Sequence, residues 1–389
     1  IDLAKHGGLV WQKNRSLAYG HSLIDSARGV SKVLESNANG SENNGSYAKF
    51  SSFNSNGFTM TSPSSSVDTQ NENNRDVVTW TFRQAPKFFA ISQWVGNGQS
   101  NRQISHQLES APGMIVIKNR DNNNSWIVGH QYVTASNPWN SRLILSSTNG
   151  SAVQSGPFNN TAPTSSVFTI GSDDEVNKSG DNFIAYLWGD GEQAFGEDEQ
   201  QKVVKCGSYT GSGNEQTIDI GFEAGFVMIK RADANGEDWY VADQLRGLHL
   251  TNDTSSTSPD ARMLRWSSSH AEAGSQYVLM DPKGFRVTGH PEVGYSGGRY
   301  IYLAIAYPVG LNSKPAEVGT DVFHMAYGNS AGTNPSYVSN FPVDFALSRR
   351  PASSEAWYTL GRNSNSNYVM TNQSSSETYS SNFVFDHNN

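Results

Sequence analysis

The chain has 389 residues, of which 16% are charged and 11% aromatic, and it carries a formal net charge of −8. Its acidic and basic residues are interspersed, which excludes the basic footprint of nucleic-acid or anionic-lipid binding, and no apolar run approaches the roughly 18 residues of a membrane-spanning helix. Nine Trp, sixteen Tyr and eighteen Phe exclude a disordered chain.

Abundant Gly, Ser, Asn and Thr suit short strands joined by polar turns, so an all-β fold is expected. Cys206 is the only cysteine, which rules out an intrachain disulfide. That implies folding in a reducing cytosol, even for a protein that later works outside the cell.

In chain order, the first predicted strand is GLVWQKNR at 8–15, followed by a turn, DSARG at 25–29. A Gly-Phe strand, NGFTM at 56–60, and a closing strand, VVTWTF at 77–82, complete the set. The order then repeats. GMIVIKNR at 113–120 and GFVMIKR at 225–231 match the first strand, with 105 residues from Lys13 to Lys118 and 112 from Lys118 to Lys230.

The turn returns as DQLRG at 243–247, the Gly-Phe strand as SVFTI at 166–170 and KGFRV at 283–287. The closing strand returns as FIAYLW at 183–188 and YIYLAI at 300–305. An opening hairpin precedes the second and third copies, WVGNG at 94–98 and YTGSG at 209–213, with glycines where the tight turn needs positive φ. FALSRR at 345–350 starts a fourth copy.

Repeats of this length exceed the roughly 20–50 residues of solenoid units, so each copy is expected to bury a core of its own. The expected architecture is a tandem series of antiparallel β-sandwich, jelly-roll modules: 1–83, 88–189, 203–308 and a partial module at 318–389, with spacers at 83–87, 189–202 and 307–321. Because the first copy lacks the hairpin and the fourth its closing strand, the chain reads as a piece of a longer protein.

The string GFVMIKRADANGEDWYVADQLRG at 225–247, the Gly-Phe strand after it and SGGRYIYLAIA at 296–306 resemble repeat modules of tailed-phage virion proteins with a concanavalin A-like lectin or glucanase fold. The resemblance covers nearly the whole chain. It implies a tail fibre, spike or other particle component, a place in the virion, and as partners other virion proteins, copies of itself and host-surface glycans. A free carbohydrate-binding lectin and the non-catalytic part of a glycan hydrolase are the alternatives. Departures occur at Gln12, where other copies have an apolar residue, and at His130, where copies one and three have Asp25 and Asp243.

Glucanases of that fold share alternating Glu and Asp on one strand, which alternation turns to one side. Here the acidic run Glu197-Asp198-Glu199 is contiguous and lies in a spacer, so no catalytic residue is assigned. Calcium is the metal expected if any binds, at Asp173, Asp174, Glu175 and Asn177, with Asp121, Asn122 and Asn123 as a second cluster of loop oxygens.

Trp11, Trp80, Trp94, Trp126, Trp188, Trp239 and Trp357 fall at positions that are apolar in other copies and are expected in cores. Trp139, after Asn137-Pro138, and Trp266, after an insertion at 251–260, are expected to be exposed and to bind a carbohydrate or a partner. Asp25 with Arg28, and Asp243 with Arg246, are read as capped turns closed by a salt bridge.

Overall fold

The computed structural model describes residues 1–45, 50–61, 70–191, 195, 201–245, 248, 262–274, 277–306, 323–326, 339, 343–350, 354–364 and 367–380. The insertion at 251–260, Arg246 with Gly247, most of 189–202 and all of 307–321 lie outside the described residues. The chain divides into two compact units, Ile1–Asn312 and Ser313–Asn389.

In the first repeat a short helix α1 (Leu3–His6) leads into β1 (Gly8–Asn14), β2 (Ser22–Asp25), a hairpin of β3 (Phe50–Asn54) and β4 (Gly57–Met60), and β5 (Val77–Arg83). These form a three-stranded sheet in the order β2-β1-β5 and the separate hairpin.

The second repeat runs β6 (Phe89–Val95), β7 (Arg102–Ser105), β8 (Met114–Asn119), β9 (Ile127–His130), β10 (Ser141–Ile144), β11 (Ala152–Val153), β12 (Val167–Ile170), a helical turn α2 (Asp174–Asn177) and β13 (Asn182–Trp188). Its large sheet is β11-β10-β9-β8-β13-β6, and β12 pairs with β7.

The third repeat follows the same order with one strand more, β20: β14 (Val204–Thr210), β15 (Gln216–Asp219), β16 (Ala224–Arg231), β17 (Trp239–Asp243), β18 (Arg262–Arg265), β19 (Ala273–Gly274), β20 (Val278–Asp281), β21 (Gly284–Val287), α3 (Pro291–Gly294) and β22 (Arg299–Ala306). The sheets are β14-β22-β16-β17-β18-β19 and β15-β21-β20. Every pairing among the described strands is antiparallel.

β1, β8 and β16 read as nearly continuous apolar runs because both their faces are covered. In β8, Ile115 and Ile117 pack into the second repeat's own core with Trp94, Phe168 and Phe183. Met114 and Val116 face the other way, into a cluster built by all three repeats. The same split sends Val227 and Ile229 to the third repeat's core and Phe226 and Met228 to the shared one. Trp11, Trp126, Trp188, Trp239 and Trp266 are all fully buried in that shared core. Each such ring removes about 150–250 Å² from water, a gross gain of roughly 4–6 kcal/mol at about 25 cal/mol per Å².

In the second unit, β23 (Phe345–Ser348), β24 (Tyr358–Gly361), β25 (Asn367–Met370) and β26 (Thr378–Tyr379) form one antiparallel sheet in chain order.

Candidate functional site

The register of the strands fixes which residues of the three repeats are equivalent. Leu9 pairs with Asp25, Met114 with His130 and Phe226 with Asp243. On the other side, Trp11 pairs with Trp80, Val116 with Tyr186 and Met228 with Leu303. Asp25, His130 and Asp243 are therefore one position seen three times, and Trp80, Tyr186 and Leu303 another.

Equivalent bonds run around the three repeats and close. The ring nitrogens of His21, Trp126 and Trp239, one strand position in three copies, meet the carbonyl oxygens of Arg265, Glu35 and Ile144 at 3.0, 2.8 and 3.0 Å. The first repeat thus bonds to the third, the second to the first and the third to the second. Backbone bonds run in the opposite sense: Glu42 N–H to Arg120 O, Ser151 N–H to Ala232 O, and Glu272 N–H to Arg15 O. Ion pairs reinforce two of those three contacts, Arg120 with Glu42 and Arg15 with Glu272, and at the other Asn235 Oδ1 accepts from the Gly150 amide.

The repeated acidic position takes part in the same ring. Tyr186 Oη donates to Asp25 at 2.8 Å, and Trp80 Nε1 donates to Asp243 at 3.0 Å. The third neighbour offers Leu303, which has nothing to donate. There the chain carries His130, whose Nε2 lies 3.2 Å from the Tyr302 carbonyl, while its Nδ1 accepts from Tyr132 N–H. Those two bonds define the neutral tautomer, and burial pushes the imidazole down to about 4. The departure at His130 is therefore a matched change on both sides of one junction.

Asp25 and Arg28 form the capped turn and salt bridge read from the sequence. Asp25 accepts from the Ala27 and Arg28 amides, and Arg28 Nε lies 2.5 Å from its carboxylate. Arg28 also donates to Tyr186 Oη, so the pair serves the junction with the second repeat.

Three lysines, Lys13, Lys118 and Lys230, are fully buried at equivalent strand ends. Burial pulls each ammonium down to about 8. Their donors go to backbone carbonyls: Lys118 to Asn39, Asn122 and Asn124, Lys230 to Thr148 and Glu237, and Lys13 to Asn14 and Leu17. Asn39 belongs to the first repeat and Thr148 to the second, so two of these lysines tie neighbouring repeats together.

Trp139 and Trp266, expected to be exposed, are both buried. Trp139 sits edge-on to Phe158 at 5.4 Å, in space left free by Gly129, where a Cβ would meet both rings at 2.6 Å. Trp266 stacks on Trp11 at 4.0 Å. The first repeat has the smaller His21 where the others have Trp126 and Trp239, and Trp11 with Trp266 fills that room. Neither ring presents a face to a ligand. Trp357, expected in a core, is instead partly exposed, with the Arg349 guanidinium 5.3 Å from its ring centre.

The structure brings Asp173, Asp174, Glu175 and Asn177 together on α2 and its cap, but spends most of their oxygens on protein partners. Asp173 caps the turn through Glu175 N–H and accepts from Gln154. Glu175 pairs with Arg142, and Asp174 is exposed. Asn177 is buried, accepting from Asn97 N–H and Arg102 and donating to Asn97, Gln99 and Gly171. In the second cluster Asp121 accepts twice from Asn182, and Asn123 accepts from Ser41 N–H. Among the described residues no group of three or more His, Cys, Asp or Glu is arranged to hold a metal.

The counterpart of α2 in the third repeat is the more reactive place, and the sequence reading passed over it. His290 caps α3 where Asp173 caps α2, and Glu292 stands where Glu175 stands. Arg142 is replaced by Met263, one step along the equivalent strand. Glu292 Oε2 is buried, with no hydrogen-bond partner among the described residues. Burial, then Glu237 and Asp238, push its carboxyl up to about 7. Beside it His290 stacks on Tyr277 at 3.7 Å, and half-exposed Tyr295 carries Arg231 4.4 Å from its ring centre. A carboxyl that holds its proton near neutrality can donate as well as accept, which suits hydroxyl groups. The signal legible beforehand was His-Pro-Glu at 290–292, aligned with Asp-Asp-Glu at 173–175.

No curated protein and no solved structure matches the chain. A family model does match, over residues 3–308, which takes in all three repeats and every bond that closes them on one another. On that match the chain belongs to the family described as a domain of unknown function, DUF7483.

Proposed function

We propose that the chain is a structural and adhesive component of a tailed-phage virion, built from lectin-like sandwich repeats of the concanavalin A type. One observation carries the reading: three repeats are joined into one unit by equivalent bonds that close on themselves. Two of the three buried lysines, the Asp25–Arg28 pair and most of the tryptophans serve those junctions. A scaffold so closed leaves loops at its rim free to vary, as they do between α2 and α3, and surface variation on a fixed core is what an attachment protein requires.

The surface we assign to host glycan is the rim around Glu292, His290, Tyr277 and Tyr295. An aromatic face beside polar acceptors and a protonated carboxyl is a usual chemistry for sugar rings. Mass spectrometry and immunogold labelling of purified particles test the placement, with the chain expected in the particle at fixed stoichiometry. Glycan-array binding by the full chain, lost in Tyr295→Ala, is expected for the surface. A chain absent from particles that binds a defined glycan as a free monomer would establish the lectin alternative instead.

A further inference from the structure

The sheet of the second unit repeats the register of the third repeat. Phe345 pairs with Gly361 as Phe226 pairs with Asp243, and Val369 pairs with Thr359 as Leu264 pairs with Val241. The Thr371 amide donates to the Trp357 carbonyl as the Trp266 amide donates to that of Trp239. Phe345, Leu347, Trp357 and Val369 are therefore the counterparts of Phe226, Met228, Trp239 and Leu264.

Those four residues of the third repeat lie in the shared core, at 7, 0, 0 and 1% exposure. Their counterparts in the second unit are 65, 53, 39 and 43% exposed. The chemistry of the face is kept and its cover is not.

We propose that this face, on β23, β24 and β25, is where three copies of the chain associate through their fourth repeats. The occupant follows from the first unit. There the same face is covered by the same face of two other repeats, in a head-to-tail contact whose rotation closes after three members. A contact of that kind between identical subunits generates a closed ring. The first unit holds three such faces in a closed ring and the described residues of the second unit hold a single one, so two further copies of the chain would complete a ring of fourth repeats. An unpaired apolar sheet face of this size is otherwise an aggregation hazard.

Sedimentation equilibrium of the full chain tests this, with a limiting mass expected at three times the 42.4 kDa of the chain. Leu347→Asp with Val369→Asp is expected to leave a monomer with an unchanged far-ultraviolet circular dichroism spectrum. If that variant fails to fold, the milder Leu347→Ser is expected to raise the association midpoint about tenfold or more, which corresponds to about 1.4 kcal/mol. Hydrogen exchange should slow with rising concentration in residues 345–348 and 358–361.

A monomer at every soluble concentration overturns the proposal, and protection of the face in that monomer would mean that the chain's own residues cover it. A dimer or tetramer as the limiting species overturns the three-fold arrangement. Undiminished trimers in the folded Leu347→Asp, Val369→Asp variant overturn the assignment to this face.

Discussion

The second and third repeats share strand order and register, yet at one helical turn they are built in opposite ways. α2 is held by side chains: Asn177 reaches Asn97, Gln99 and Gly171, and Arg142 neutralises Glu175. α3 is held by backbone closing in. Gly294 replaces Asn177, and a Cβ there would lie 1.9 Å from the Thr288 carbonyl oxygen. The Glu292 carboxyl, without an arginine opposite, has its proton affinity raised. One scaffold thus supports a turn tied down by side chains and one with a buried carboxyl oxygen that has no hydrogen bond among the described residues, and the second is where we propose that a ligand is met.

The strongest way to break the comparison is to exchange the residue at the end of the turn. Gly294→Asn forces a side chain into backbone and is expected to destabilise the first unit by about 3 kcal/mol, at the upper end of overpacking costs. Asn177→Gly strands the Gly171 and Gln99 carbonyls and is expected to cost about 1–3 kcal/mol. Urea denaturation of each variant, followed by tryptophan fluorescence, gives both values. Equal and small losses would mean that the two turns are interchangeable.

Exchanging the charge partner is expected to act less on stability and more on protonation. Arg142→Met removes one member of a half-buried pair, at about 1–3 kcal/mol. It should also raise Asp173 further, since burial already lifts that carboxyl and Arg142 holds it down. Met263→Arg should pull Glu292 from about 7 back toward the ordinary carboxylate range. Titration of carboxyl carbons by NMR reads both shifts, and an unmoved Glu292 in Met263→Arg would show that burial, Glu237 and Asp238 set its value whatever stands at 263.

Much of the scaffold was legible because repetition exposes it. The landmarks around Lys13, Lys118 and Lys230 gave the strands, their order and the all-β class, since a period-two pattern recurring at fixed spacing has few other solutions. The departure at His130 was also visible, but its cause was not. The partner that explains it, Leu303, is 173 residues away and in another repeat.

Trp139 and Trp266 were misread for a related reason. Their burial depends on the missing side chain at Gly129, ten residues before Trp139, and on His21 in the first repeat, 245 residues from Trp266. A core shared by three repeats balances volume across all of them, so no single copy shows where space is left over. Glu292 was missed because its state is set by burial and then by Glu237 and Asp238, which lie far from it in sequence.

The smallest expected effect is also the most diagnostic, because two groups of the first unit oppose each other in one pH range. Glu292 titrates at about 7 in the folded chain against an ordinary 4.5, so between those values the folded state holds the extra proton. Its contribution to stability is complete below 4.5 and is lost as pH rises through 7. His130 titrates at about 4 against an ordinary 6.5, so there the unfolded state holds the extra proton. Its contribution is complete above 6.5 and is lost as pH falls through 4. The two slopes oppose each other in the wild-type chain, and His106 and His290, whose proton affinities burial also lowers, add to the His130 slope. The wild-type profile from pH 4.5 to 6.5 is therefore expected to rise less steeply than that of a chain without the Glu292 carboxyl. Glu292→Gln should leave the His130 slope alone, with stability rising as pH rises across that range. A profile that Glu292→Gln leaves unchanged from pH 4.5 to 6.5 would place the Glu292 proton affinity in the ordinary range and return α3 to the same inert state as α2.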